Sequence, residues 1–408
     1  MKAAVFHGIG DVRLEEVPDP KIQAPADAIV RITASAICGT DLHMLRGTMP
    51  GMVPGTIFGH EGVGVIEELG SDVRNFNPGD RVVICSTLGC GSCSYCRAGY
   101  YSQCDNVNPN GPLAGPSFFG GPKNSGPFDG LMAEKARVPF ANVNLVKIPD
   151  GVTDDQALLV SDVFPTSWMA AELAEISDGD TVAVFGCGPI GQLAIASAKL
   201  MGAGRVFAVD CVEDRLAVAR AQGAEVIDFS KEDPVEQIRR LTFGIGVDRA
   251  IDAVGVDSIQ AHQGPALPRG EKRRQFEEEV QELAPDAQPS GENWVPGDAP
   301  SQALSWAAQA LAKAGTLSIV GVYPQSDRFF PLGLAMNKNL TINAGNCNHR
   351  RYAPRLLEMI EIGVVDPAEI LSQRRPLSEV IESYEAFDRR DPAWLKVGVY
   401  PEGAAARH

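Results

Sequence analysis

The sequence predicts an α/β protein of two parts, a partly open β-barrel followed by a parallel sheet built from βαβ units. Three observations carry this. In the first part, Ile29 to Thr33, Gly62 to Glu68 and Arg81 to Ile84 are short runs with β-branched residues between Gly and Pro punctuation. From about Thr181 the texture changes to short apolar strands alternating with Ala-rich helical segments. Between these regions, Cys90, Cys93, Cys96 and Cys104 form a C-x2-C-x2-C-x7-C array within one loop. Close thiolates repel one another unless a cation neutralises them. Four sulfurs satisfy the tetrahedral preference of Zn²⁺ and leave no open position, so this lobe, about residues 86–105, is expected to hold shape and do no chemistry. A cluster of free or disulfide-paired cysteines is the alternative.

With 408 residues the chain can bury a large core and form two domains or more. Its net charge of -16 repels phosphate backbones and anionic lipid, so neither nucleic acid nor a membrane surface is an expected partner. Charged residues from Asp11 to Glu16 stand where a signal peptide needs an apolar stretch, and no segment is long and apolar enough to span a bilayer. The nine cysteines, without an export signal, suit a reducing compartment, and a cytoplasmic enzyme is expected.

The second part opens with a dinucleotide signature. Thr181 to Phe185 is an apolar strand, Gly186-Cys187-Gly188-Pro189-Ile190-Gly191 is a G-x-G-x-x-G turn, and Gln192 to Met201 forms a helix. The glycines permit a tight turn and close approach to a pyrophosphate, whose charge is favoured at the helix N-terminus. The next strand, Arg205 to Val209, ends at Asp210, 19 residues after Gly191. A carboxylate there accepts hydrogen bonds from both adenosine ribose hydroxyls and repels a 2′-phosphate, which selects NAD over NADP. Arg215 would flank the ribose or lie solvated on a helix surface. Further units follow: a helix from Glu213 ended by Gly223, a strand at Val226 to Ile227, a helix after Pro234, and a strand ending at Ala253-Val254-Gly255. Residues 256–300 lose this regularity and read as a surface insertion around a short helix at Glu271 to Leu283. A helix from Gln302 to Ala314, capped by Gly315, and a strand from Thr316 to Val320 resume the sheet. The β-rich end from Lys396 to Tyr400 would rejoin the first barrel.

Two further segments bear chemistry-capable residues: Cys38-Gly39-Thr40-Asp41-Leu42-His43 and Gly59-His60-Glu61-Gly62. Each alone is an ordinary finding, a buried thiol or a hydrogen-bonded imidazole. Together with the four-cysteine lobe and the glycine turn they resemble, over nearly the whole chain and in the same order, the zinc-dependent medium-chain alcohol dehydrogenases. The resemblance implies a GroES-like catalytic domain at residues 1–163, a Rossmann domain at 164–344 with the insertion at about 256–300, and a return to the catalytic domain at 345–408. It implies that Cys38 and His60 are catalytic zinc ligands and that Asp162 takes the place where many members have cysteine. Glu61 is similar to a glutamate that either supports the metal or swings onto it. Thr40 and His43 take the positions of a proton relay, although on the residues alone they are ordinary polar side chains. By weaker carry-over, Thr166, Gly321 and Val322 would lie near nicotinamide, Val254 would join the cofactor contacts, and Lys396 would approach the pyrophosphate.

Within the family, Val138 to Leu145, Asp162 with Pro165-Thr166, and the insertion after Asp252-Ala253-Val254-Gly255 look most like the glutathione-independent formaldehyde dehydrogenase branch. The activity implied is hydride transfer to NAD from a primary alcohol or an aldehyde hydrate, formaldehyde included, held at one of two zinc ions. Polyol or threonine type dehydrogenases share this chemistry and form the near alternative. A zinc-stabilised dinucleotide-binding protein without activity, or a metal-free quinone or enone reductase, would not need Cys38, His60 and Asp162. A homo-oligomer, dimer or tetramer, is the assembly the family implies.

Overall fold

A computed structural model describes residues 1–111, 114–325 and 327–403. The chain divides into two compact units: Met1–Pro165, Gln288–Trp294 and Asn346–His408 form one, Thr166–Ala287 and Val295–Gly345 the other. Residues 404–408 of the C-terminal return lie outside the described residues.

The first unit is organised by a seven-stranded sheet in the order Gln373–Pro376, Val397–Tyr400, Ala28–Ile37, Glu61–Leu69, Arg81–Ile84, Leu145–Lys147, with Lys135–Val138 also pairing to Ala28–Ile37. Ala28–Ile37 is buried at nearly every position, Arg31 excepted, and is paired along both edges. Its register with Glu61–Leu69 slips between Ile29 and Val30 and again between Ile32 and Ala34. Such bulges bend a strand and strengthen its twist, which curves this sheet toward a barrel. The antiparallel register puts Ala36 opposite Glu61. Two short continuations, to Cys38 on one strand and back to His60 on the other, therefore place a thiol and an imidazole side by side.

The second unit is a six-stranded parallel sheet in the order Glu225–Asp228, Arg205–Asp210, Thr181–Phe185, Val247–Asp252, Leu311–Ile319, Thr341–Ala344. Numbered along the chain this is 3-2-1-4-5-6, the doubly wound arrangement whose strand order reverses beside Thr181–Phe185. The glycine turn follows that strand, so the topology delivers it to the switch point.

Two sequence expectations are corrected here. The helix Gln302–Ala310 stops four residues earlier than its alanine content suggests, and Leu311–Ile319 is strand. Leu311 is buried and pairs with Val247, and Ala314 adopts a left-handed φ of 60° within an irregular stretch of that pairing. Tertiary pairing outweighs a helix propensity worth only tenths of a kcal/mol per residue; Gly315 lies in the strand instead of capping a helix. The insertion also does more than cover a surface. Its helix is Glu271–Leu283 as expected, but Gln288–Trp294 belongs to the first unit. There Trp294, 4% exposed, packs with Phe6, Leu42, Leu45 and Phe387. Its backbone N–H donates to Asp388 Oδ2 at 2.6 Å, and Arg46 holds the other oxygen at 2.7 Å.

Candidate active site

Four donor residues converge within the first unit. Cys38 ends the strand Ala28–Ile37 and caps the helix Gly39–Arg46, where Asp41 Oδ2 accepts the Cys38 N–H at 3.1 Å. His60 precedes Glu61–Leu69 and follows Gly59, whose φ of 89° and 3.0 Å approach to Met132 exclude a β-carbon. Asp162 lies just past the helix Asp154–Val160. One donor atom from each of Cys38, His60, Glu61 and Asp162 lies within 4.8 Å of all the others, and all four residues are buried.

The spacing can be checked against a metal. Zn–N, Zn–O and Zn–S bonds of about 2.0–2.3 Å imply tetrahedral edges of about 3.3–3.8 Å between donors. Asp162 Oδ2 lies 3.6 Å from Cys38 Sγ and 3.7 Å from His60 Nε2. Glu61 supplies a second sign: Oε1 is bound by Lys396, whereas Oε2 is buried with no hydrogen-bond partner. A buried carboxylate oxygen without a donor is costly unless a cation answers it. The donor set of thiol, imidazole and carboxylate fits Zn²⁺.

Charge is displaced accordingly. Burial pushes the Cys38 thiol up, and it pushes the Glu61 carboxyl up to about 7 against the opposing pull of Lys396. Burial acts to lower His60, but Asp41 and Cys38 outweigh it and raise the imidazole. Burial likewise acts against ionised Asp162, yet hydrogen bonds from His349 and His60 hold it well below the usual carboxylate range.

The surrounding shell contains groups the sequence reading did not assign. Asp41 Oδ1 lies 3.2 Å from His60 Nδ1, and Tyr384 OH donates to Asp41 Oδ2 at 3.4 Å. His349 Nε2 lies 2.8 Å from Asp162 Oδ1. No local motif marks His349, since it reaches the site from 187 positions away; the only sequence signal was a histidine among six in the chain. Lys396 departs from its expected place at a pyrophosphate. It is fully buried in the first unit, donating to Glu61 Oε1 at 2.5 Å and to Ile37 O at 2.9 Å. A lysine withdrawn from water in this way needs a carboxylate partner, and Glu61 is that partner. Of the relay candidates, Thr40 Oγ1 lies 3.8 Å from Cys38 Sγ, and buried His43 pairs Nδ1 with Thr48 Oγ1 at 2.8 Å.

The cysteine lobe forms the second donor group, Cys90, Cys93, Cys96 and Cys104, again within 4.8 Å of one another. Cys93 Sγ and Cys104 Sγ are 3.8 Å apart, close to the roughly 3.8 Å edge of a tetrahedron with Zn–S bonds of about 2.3 Å. None of the nine cysteines forms a disulfide. The sulfurs of Cys90, Cys93 and Cys104 accept backbone N–H bonds from Cys93, Cys96 and Cys90 respectively, at 3.3–3.4 Å. Burial opposes ionisation of Cys90, but hydrogen bonds from Ser92 and Cys93 bring its thiol down to about 6. Cys90 is thus favoured as thiolate, whereas burial pushes the Cys96 and Cys104 thiols up.

The glycine turn belongs to the second unit. Gly186 follows the strand Thr181–Phe185, Gly188 caps the helix Pro189–Leu200, and Pro189 occupies its first turn, where a missing N–H costs nothing. A β-carbon on Gly191 would stand 1.8 Å from Gly186 O, so this position admits only glycine. Ile190 O accepts from Ser167 Oγ, beside Thr166 in the helix Val163–Leu173. Asp210 Oδ2 accepts the Cys187 N–H at 2.7 Å, and Oδ1 accepts from Cys211 and Val212. This braces the turn with the same carboxylate expected to read a ribose. Arg215 lies near Gly188, its guanidinium 3.8 Å from where a β-carbon would be. Val254 and Gly255 pass against Gly186, Gly321 and Val322, bringing all of these to one end of the sheet.

Comparison with known proteins agrees with this geometry. Residues 24–150 match the family model described as the alcohol dehydrogenase GroES-like domain, and residues 189–263 match that of the zinc-binding dehydrogenases. An uncharacterized zinc-type alcohol dehydrogenase-like protein of Bacillus subtilis is 36% identical, covering 98% of this chain and 100% of its own. The glutathione-independent formaldehyde dehydrogenase of Pseudomonas aeruginosa is 32% identical over 96% of each. Among solved structures, an alcohol dehydrogenase from Thermus sp. ATN1 superposes with a TM-score of 0.80 at 32% identity, covering 98% of this chain and 100% of its own.

Proposed function

The chain belongs to the zinc-dependent medium-chain alcohol dehydrogenase family, and from that premise we propose that it oxidises a primary alcohol or an aldehyde hydrate with NAD. Cys38, His60 and Asp162 hold a catalytic zinc, and the four lobe cysteines hold a second, structural one. The zinc at the first site supplies Lewis acidity and NAD supplies the hydride acceptor.

The chain's own groups do the rest. Thr40 Oγ1, beside Cys38, takes the substrate hydroxyl proton as it gives up its own, and His43, with Nδ1 engaged by Thr48, passes a proton on through the cofactor ribose to solvent. Glu61, held by Lys396, keeps one carboxylate oxygen turned to the donor cluster and adds negative charge there. The glycine turn and the N-terminus of Pro189–Leu200 receive the pyrophosphate. Asp210 supplies the charge that disfavours a 2′-phosphate.

The observation that carries this reading is the pair of donor spacings from Asp162 Oδ2, 3.6 Å to the thiol and 3.7 Å to the imidazole. A disused site would have no reason to keep a carboxylate at a chelate edge from both. The likeness to the Pseudomonas formaldehyde dehydrogenase supports formaldehyde hydrate as one substrate. The test is an NADH-linked assay over formaldehyde, short alcohols, benzyl alcohol, polyols and threonine. Turnover of the alcohols or formaldehyde upholds the proposal. Turnover confined to polyols or threonine replaces its substrate class, and none at all rejects it.

A homo-oligomer acting in the cytoplasm completes the proposal. The edge strand Thr341–Ala344 is largely exposed, and Leu332 and Met336, in the helix Leu332–Lys338 that precedes it in the chain, are 62% and 70% exposed. An open, partly apolar strand edge is a pairing surface. Among the described residues no helix is long and apolar enough to cross a membrane.

A further inference from the structure

A carboxylate in the place of a thiolate brings a problem that a sulfur does not have. Asp162 presents one oxygen, Oδ2, to Cys38 and His60; its second oxygen, Oδ1, needs a partner of its own, because both lie in a buried site. A donor at Oδ1 restrains rotation of the carboxylate and so helps keep Oδ2 at the chelate edge.

We infer that His349 is the positioning residue that fixes this carboxylate, with Thr87 fixing His349. His349 begins the helix His349–Glu361 and is 2% exposed. Its Nε2 lies 2.8 Å from Asp162 Oδ1, the oxygen other than the one near Cys38 and His60. Its Nδ1 lies 2.9 Å from Thr87 Oγ1, and the same hydroxyl donates to Cys347 O at 2.9 Å. The imidazole is thus pinned at both nitrogens, and its plane is set by Thr87, three residues past the strand Arg81–Ile84, whose N–H also lies 3.4 Å from Nδ1 and whose hydroxyl is tied to the backbone two residues before the ring. Outer partners of this kind orient a ligand and sharpen metal binding, with losses of about 10–100-fold on removal. The inference rests on the reading of Cys38, His60 and Asp162 as metal ligands, and it assigns to this chain a unit of two residues, Asp162 with His349, where a cysteine ligand would need one.

The experiment measures zinc release from the full chain to a chromophoric chelator without cofactor or substrate, so activity does not enter. The zinc of the cysteine lobe serves as the internal standard. His349→Ala is expected to speed release of one zinc by about 10–100-fold and leave the other unchanged. His349→Gln, whose amide can donate to Oδ1 from nearly the same position, should restore most of the wild-type rate. In an Asp162→Cys background there is no second oxygen to hold, so adding His349→Ala should change release less than about threefold. A histidine that matters only for packing would loosen the metal equally in both backgrounds, and that result overturns the inference. So does wild-type release from His349→Ala. If His349→Ala does not fold, Thr87→Val removes the hydroxyl at Nδ1 and leaves the Thr87 N–H, 3.4 Å from the same nitrogen: faster release of the same zinc upholds the inference, and an unchanged rate overturns the role given to the Thr87 hydroxyl. A wild-type protein that holds one zinc, in the lobe alone, would reject the catalytic metal site itself and so is distinguishable from failure of the His349 assignment.

Discussion

Replacing Lys396 by methionine separates two accounts of this residue. Its ammonium and the Glu61 carboxylate are both fully buried, 2.5 Å apart. Methionine fills most of the lysine stem's volume, so the loss is electrostatic more than steric. Removing one partner of a buried pair leaves the other uncompensated and costs about 3–5 kcal/mol. For a folding unit of this size, that lowers the thermal midpoint on the order of 6–20 °C. The double variant Lys396→Met with Glu61→Gln should lose markedly less than the sum of the two single changes, because neither charge is then stranded. Differential scanning calorimetry of all four proteins, with metal content matched, measures the coupling. A midpoint for Lys396→Met within 2 °C of wild type, coupled with a large rise in KM for NAD, would refute the pairing and return Lys396 to the pyrophosphate.

Asp210→Ser should raise the preference for NADP over NAD, read as the ratio of kcat/KM for the two cofactors; an unchanged ratio assigns cofactor choice elsewhere. Gly191→Ala forces a β-carbon to within 1.8 Å of Gly186 O, and NAD binding by fluorescence titration should be lost while both zinc ions stay. Trp294→Ala opens a cavity in the first unit's core at a cost of about 3–5 kcal/mol, seen as a lower unfolding midpoint; a shift near zero would mean that the segment Gln288–Trp294 does not bear on that core.

The parts of this molecule that were legible in the sequence are those fixed by short-range geometry. The G-x-G-x-x-G turn declares itself because Gly186 takes a left-handed φ of 88° and a β-carbon on Gly191 would strike Gly186 O, and the C-x2-C spacing declares a chelate because sulfurs a few residues apart must face one another. Cys38, His60 and Asp162 could be joined only through resemblance, since their meeting depends on sheet register and on a helix far along the chain. His349 and the pairing of Lys396 with Glu61 were not legible for the same reason in stronger form: both arrive from the C-terminal segment and act on oxygen atoms, which no spacing encodes. The docking of Trp294 was hidden by the composition of its surroundings, a polar and proline-rich insertion that reads as surface. The short helix ending at Ala310 shows the opposite failure, a local alanine preference overruled by strand pairing.

Elemental analysis of the purified wild type and of Cys38→Ala tests the central claim most directly. The account predicts two zinc per chain in the first and one in the second, with nearly all turnover lost and the cysteine lobe still loaded. Equal zinc in both proteins would contradict it, because the thiol would then hold no metal.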